Sequence, residues 1–286
     1  MSGDIIWLAS YPKSGNTWFR TFISNLLNEK HEEISINQLK TDGIFSSRAI
    51  FDSIAGVEAS NLTAAEIDRL RPKVYNHLAR TAERNLFIKV HDAYTYLEDG
   101  TPLLGTENAK AIYIMRNPLD VAVSFANHSS KNLDKMVKNM GDATFAFCNN
   151  KNRLANQLRQ QLLTWSAHVE SWAQATEIPV HLVRYEDMKL DPIPTFTKAV
   201  RFMGLDCSEE QIKKAIEMSD FKKLKAKEEV EGFKERPYKT AAFFRKGEVG
   251  DWRNHLSDAQ RDRLIADHGE VMRKYGYLNE DGELVY

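Results

Sequence analysis

Cysteine is scarce. Cys148 and Cys207 are the only two in 286 residues, which excludes a disulfide-stapled scaffold. No C-x-x-C occurs, and none of the eight histidines sits in an H-E-x-x-H pattern, so a zinc centre is not expected. No apolar run approaches the ~18 residues that a membrane span needs. No basic stretch precedes an apolar one at the start, so no signal peptide is expected and the expected location is cytoplasmic. An excess of one charge is also missing: 39 Lys and Arg stand against 40 Asp and Glu, a formal net charge of −1. No global field therefore draws the chain to nucleic acid or to a membrane, and neither is expected as a partner. Any anion site has to be built from local cations. Internal repeats and low-complexity segments are absent too. What remains is an ordinary globular composition, 42% hydrophobic and 28% charged, in a chain long enough to bury a core. One domain over residues 1–286 is expected.

Four short apolar runs, at 5–9, 86–90, 111–115 and 180–183, read as strands. They show little polar alternation, as parallel strands covered on both faces do. Helical patterns lie between them. The first carries Trp18, Phe19, Phe22, Ile23, Leu26 and Leu27 on one stripe. Others run over about 118–127, 156–175 and 193–203, and two later helices open with the capping boxes SEEQ (208–211) and SDAQ (257–260). The expected fold is α/β, a P-loop-like open parallel sheet flanked by helices.

Each strand ends in polar groups. SYPKSG follows the first, His91 the second, RNP with Arg116 the third, and RYED with Tyr185 the fourth. Ligands of open α/β sheets bind at the carboxyl ends of the strands, so Lys13, His91, Arg116 and Tyr185 are expected at one edge.

The motifs have bland readings as well. YPKSGNTW offers the N–H groups of Ser14, Gly15, Asn16 and Thr17 at a helix start, beside Lys13, as an anion site. The bland reading is a plain turn with Thr17 as the cap and Trp18 in the core. IKVH puts Lys89 and His91 on one side of the pleat, where a lone histidine is more often structural. RNPLDVAVSF holds Arg116, whose fork suits phosphate, and Ser124 among apolar neighbours; an Arg116–Asp120 ion pair is the alternative. FFRKGEVGDW fits a loop around an anion or a solvated charged loop.

Together these segments resemble the cytosolic-type sulfotransferases, which use 3′-phosphoadenosine-5′-phosphosulfate. That family's Y-P-K-S-G-T-T-W is met by YPKSGNTW, differing only at Asn16. Its K-x-H, R-N-P-x-D-x-x-V-S, Y-E-D-M and R-K-G-x-x-G-D-W follow in the same order, from about Ile6 to Trp252. A bacterial member of the family is expected. The resemblance implies that Lys13 contacts the oxygen bridging sulfate and 5′-phosphate. Ser14, Gly15, Asn16, Thr17 and Trp18 would wrap that phosphate and stack on adenine. Arg116 and Ser124 would hold the 3′-phosphate with Arg245, Lys246 and Gly247, behind Phe243 and Phe244. Tyr185, Ser219 and Phe221 would meet the adenine, His91 would be the catalytic base, and Lys89 would steady the sulfuryl oxygens. No metal is expected, since a sulfuryl group carries less charge to neutralise than a phosphoryl. The product would be 3′-phosphoadenosine-5′-phosphate (PAP). RNHLSDAQRD departs from the family's dimer motif, with Asp258 at an apolar position, which leaves the oligomeric state open.

The rival readings are a P-loop kinase, which lacks its Walker lysine here, and a binding module without turnover. The expected acceptor is a small molecule or natural product. Its candidate lining is residues 31–84 and 127–158, where Met136, Met140, Phe145 and Phe147 either form an apolar lid or pack a helix pair. The segment 222–244, KKLKAKEEVEGFKERPYK and beyond, holds little apolar surface and is expected to order only around nucleotide.

Overall fold

The first apolar run becomes β1 (Ile5–Ser10), buried at every residue, as a strand covered on both faces must be. The structure, a computed structural model, describes residues 3–29, 32–150, 153–238, 240 and 242–286. After β1 come α1 (Asn16–Leu26), α2 (Arg48–Ala55), α3 (Ala64–Thr81), β2 (Leu86–Val90) and β3 (Ala109–Met115). Then follow α4 (Pro118–Ser129), α5 (Leu133–Met140), β4 (Ala146–Phe147), β5 (Gln160–Gln161), α6 (Trp165–Ala173) and β6 (Val180–Arg184). The chain finishes with α7 (Tyr185–Leu190), α8 (Pro192–Phe202), α9 (Glu209–Met218), α10 (Phe221–Glu231) and α11 (Asp258–Lys274). The central sheet runs β2-β1-β3-β6. β1 and β2 pair in parallel, from Ile5 opposite Leu86 to Ala9 opposite Val90. All four predicted strands fall on these four, and the fold is α/β with a parallel sheet flanked by helices.

The chain divides into two compact units: Met1–Tyr11, Asp42–Tyr113 and Asp142–Leu182 in one, Pro12–Thr41, Ile114–Gly141 and Val183–Tyr286 in the other. The first unit is organised around a buried charge network. Arg71 sends a two-pronged hydrogen bond to Asp92, Nη1 to Oδ1 at 3.0 Å and Nη2 to Oδ2 at 2.9 Å, while its Nε donates to Tyr75 Oη at 2.7 Å. Asp68 stands 3.5 Å from the same guanidinium and pairs with Arg159. In this unit the predicted helix 156–175 begins late, at Trp165, because Thr164 caps it by accepting the Ala167 N–H. The residues before it are committed elsewhere: Leu158 N–H donates to Ser46 O, Gln160–Gln161 form β5, and Leu163 has φ 59°.

In the second unit α1 is buried along its whole length, so its polar side chains bond internally. Thr21 and Ser24 hydroxyls donate to the carbonyls four residues back, and Asn25 donates to Ser219 Oγ at 2.9 Å. Phe22 meets Phe196 of α8 with ring centroids 4.1 Å apart. Met136 and Met140 are buried in α5, which packs on α4, so the helix-pair reading applies to them and the lid reading does not. Both predicted capping boxes are present, on α9 and α11.

The premise that 222–244 buries too little to hold itself is corrected over its first half. Asp220 caps α10 through the Lys222 N–H, and Leu224 and Glu228 are buried. The Glu228 carboxylate accepts the N–H groups of Phe243 and Phe244 at 2.7 and 2.8 Å, and Lys223 and Lys227 pair with Glu33. The Glu228 carboxylate, the Glu33 ion pairs and the buried Leu224, Phe233 and Phe244 together hold this segment. Lys239 and Ala241 lie outside the described residues.

Breaking a buried ion pair from one side strands the other charge. Arg71→Met is expected to destabilise the protein by ~3–5 kcal/mol, read as a lower urea midpoint. An unchanged midpoint would mean that Asp92 is not buried as a charge.

Candidate functional site

In the second unit the turn between β1 and α1 is shaped by two residues at positive φ, Lys13 at 72° and Gly15 at 105°. A Cβ on Gly15 would lie 2.6 Å from the Tyr185 ring, so only glycine admits this approach. Gly15, not Thr17, is the N-cap, and no side chain caps the helix. The first intrahelical bond runs from Phe19 N–H to Gly15 O, so the N–H groups ahead of it need acceptors from outside the helix. The Ser14 hydroxyl is buried with no hydrogen-bond partner among the described residues. Asn16, Thr17 and Trp18 are buried as well.

Arg116 reaches this turn from the β3–α4 junction. Its Nη1 donates to Lys13 O at 3.4 Å and its Nη2 to Glu248 O at 3.0 Å, and the guanidinium lies 4.2 Å from the Tyr185 ring centroid. Its Nε is buried with no hydrogen-bond partner among the described residues. The Asp120 pairing is loose, at 3.9 Å, because Asp120 instead accepts the N–H groups of Gly250 and Trp252 at 2.8 and 2.9 Å. Tyr185 donates from its hydroxyl to Gly247 O at 3.0 Å. Gly247 has φ 66°, and a Cβ there would sit 2.5 Å from the Phe221 ring. The Lys13 ammonium lies 3.8 Å from the Phe243 ring centroid and 3.5 Å from His128 Nδ1. Lys13, Gly15, Arg116, Tyr185, Phe221, Phe243 and Gly247 thus come together.

Others do so only in part. Arg245 and Lys246 both pair with Asp251, with His255 3.1 Å away; against the effect of its partial burial, hydrogen bonds from Lys246, Asn254 and Arg245 hold the Asp251 carboxyl far below the usual range. Both cations also line an open pocket of about 340 Å³ with Phe221, Lys222 and Lys225. Ser124 is half-buried on α4. Phe244 is buried against Phe221, Phe233 and Phe243. Ser219 is fully buried, its hydroxyl donating to Ala215 O and accepting from Asn25, so it joins α9 to α1.

In the first unit His91 follows β2 and is half-buried. Its Nδ1 lies 2.8 Å from Ser10 O. A carbonyl only accepts, so Nδ1 carries the proton and Nε2 is the basic nitrogen of the neutral ring. Its own carbonyl accepts from His168 Nε2 at 3.1 Å, and His168 Nδ1 accepts from Tyr113 Oη at 2.9 Å. Burial pushes the His168 pKa down to about 4, which keeps that ring neutral. Lys89 is fixed in β2 opposite Leu8, its N–H donating to Gly43 O at 3.0 Å.

Residues 3–276 match the sulfotransferase domain family. The chain belongs to that family. Cytosolic sulfotransferase 17 of Arabidopsis thaliana is 26% identical over 96% of this chain and 75% of its own length. Flavonol 3-sulfotransferase of Flaveria bidentis is 27% identical over 91% of this chain and 78% of its own length. Sulfotransferase 1A1 of Canis lupus familiaris is 25% identical over 96% and 85%. These relatives are plant and mammalian, and lend no support to the expectation of a bacterial member. Two solved structures share the fold. One is retinol dehydratase in complex with retinol and PAP, at TM-score 0.63 and 20% identity over 99% of this chain and 83% of that one. The other is a mouse sulfotransferase complexed with PAP, at 0.58 and 21% over 96% and 85%.

Sequence reading of this sulfotransferase missed its carboxylates. Asp120 and Glu186 lie inside the motifs, yet nothing in their spacing says that they accept backbone N–H groups. Glu186 is fully buried, taking the Asn117 N–H at 3.0 Å and the Tyr277 hydroxyl at 3.2 Å. Burial pushes its carboxyl up to about 6 from 4.5, against the pull of the Asn117 N–H and Arg116. Between those two values the folded state keeps a proton that the unfolded chain has released. Stability from this group is therefore expected to fall as pH rises from about 4.5 to about 6, by roughly 2 kcal/mol, and to be level on either side. Urea midpoints of the wild type and Glu186→Gln across that window check it. The variant should lack this component, and parallel profiles would place the carboxyl's pKa elsewhere.

Proposed function

We propose that the protein is a sulfotransferase that moves a sulfuryl group from 3′-phosphoadenosine-5′-phosphosulfate to a hydroxyl or amine of a small-molecule acceptor. The observation that carries this reading is the β1–α1 turn. Its lysine precedes the glycine, and two polar atoms beside it, Ser14 Oγ and Arg116 Nε, are buried without partners among the described residues. Groups left unmatched in this way suit a ligand rich in anionic acceptors. The relatives' names support the donor and the acceptor class: a flavonol sulfotransferase, an amine sulfotransferase and proteins solved with PAP.

The donor supplies an electrophilic sulfur and an anionic leaving group. Lys13 neutralises charge at the leaving oxygen, and the α1 N-terminus with Ser14, Gly15, Asn16, Thr17 and Trp18 holds the 5′-phosphate. Arg116, Ser124, Arg245, Lys246 and Gly247 hold the 3′-phosphate. Trp18, Tyr185 and Phe221 take the adenine. His91 Nε2 receives the acceptor's proton, since its Nδ1–H is committed to Ser10 O, and Lys89 steadies the sulfuryl oxygens. With fixed cations on a group of modest charge, no divalent metal is called for. The reading extends to one domain over 1–286 acting in the cytoplasm; no described helix is long and apolar enough to cross a membrane. A kinase reading is not favoured, because the family match is to sulfotransferases.

Isothermal titration is expected to show tight PAP binding without magnesium. A preference for ATP with Mg²⁺ would sink the proposal. His91→Ala should lower turnover by ~10²–10⁴ with PAP affinity nearly unchanged. An active variant would mean that another base takes the proton. Arg116→Ala should instead weaken PAP binding by ~1.5–3 kcal/mol, and an effect on turnover alone would move Arg116 away from the 3′-phosphate.

A further inference from the structure

Lys189, four residues past Tyr185 on α7, has no part in the motifs. Its ammonium lies 5.4 Å from the Trp18 ring centroid and 5.7 Å from the Phe221 ring centroid. Trp18 is buried, and Lys189 and Phe221 are half-buried. Among the described residues no carboxylate pairs with this ammonium and no acceptor takes its N–H groups. Two ring faces attract its charge, yet neither is an in-plane acceptor for its N–H groups, which are left to solvent on the exposed side. Burial depresses its pKa; Asp220 and Glu248 pull the other way, while Arg116 and Lys222 add to the depression. The ammonium is therefore held where positive charge is disfavoured, beside the two rings read above as the adenine platform. A group in that position has use for an acceptor that arrives flat against a ring.

We propose that Lys189 reads the base of the nucleotide, donating from Nζ to a ring nitrogen of a purine stacked on Trp18 or Phe221. Purine ring nitrogens are in-plane acceptors, so a base lying on either ring turns its edge toward a donor at the side. The proposal rests on the donor reading and adds to it a residue that discriminates among heterocycles by their edge.

Isothermal titration of PAP and of its 1-deaza, 3-deaza and 7-deaza analogues into the wild type and Lys189→Met tests it. One analogue should bind the wild type about 10- to 100-fold more weakly than PAP, the range of a charge-assisted hydrogen bond. Lys189→Met should bind PAP and that analogue alike, because the pair then has no donor to lose. The inference falls if all three analogues bind the wild type within about twofold of PAP, or if the variant keeps the penalty. The wild-type arm stands whether or not the variant folds. Failure of the wild type to bind PAP at all would overturn the donor reading itself, and this residue's role with it. PAP binding without any deaza penalty removes the role of Lys189 alone.

Discussion

One carboxylate holds the loop beside the β1–α1 turn in shape. Asp120, one turn into α4 and buried, accepts the N–H groups of Gly250 and Trp252. Those two bonds fix the end of the loop that carries Arg245, Lys246 and Gly247. Gly247 in turn receives the Tyr185 hydroxyl, and the Tyr185 ring sits where any Cβ on Gly15 would be. Pull out Asp120 and the buried Trp252 N–H loses its acceptor, at a cost of about 1–3 kcal/mol, as does the half-buried Gly250 N–H at a smaller one. The loop, the tyrosine and the glycine turn then lose a common reference.

The fold was largely legible because its strands are short, apolar and punctuated. A run such as Ile5–Ser10 has no other reading once Pro12 and Gly15 follow it. Capping boxes marked α9 and α11 for the same reason: the signal is local. Where the outcome depended on distant partners, local pattern misled. Residues 156–163 have helical periodicity, but Ser46 and Arg48 claim their backbone groups. The helix α10 looked too polar to hold itself, and a glutamate bonding two distant amides helps to anchor it.

The site divides along the same line. The placement of Gly15, Lys13 and Arg116 at one turn is readable, because it follows from backbone freedom and strand ends. The carboxylates are not. Asp120, Glu186 and Glu228 accept N–H groups 15 or more residues away in sequence, and only a folded chain shows which donors they meet. Ser219 is the converse case. A hydroxyl in a ligand-facing motif was readable as a contact, yet Asn25, 194 positions earlier, takes it up.

Arg71 of the first unit and Arg116 of the second are held differently, and the difference bears on function. In the first, Arg71 faces two carboxylates and a tyrosine, so its charge is matched within the protein and little attraction is left for a ligand. In the second, Arg116 is met by two carbonyl oxygens and an aromatic face, with its nearest carboxylate at 3.9 Å and already engaged by two amides. Lys13 is met by a ring and a histidine, and Lys189 by two rings. Carbonyls and rings orient a cation without cancelling its unit charge. Arg116 is held in this way, by two carbonyl dipoles and a ring quadrupole, so its charge is oriented without being cancelled even in a chain with a net charge of −1. Arg245 and Lys246 are the exception that fits the rule. They share one Asp251, two positive charges against one negative, so even the neutralised corner of the site stays positive.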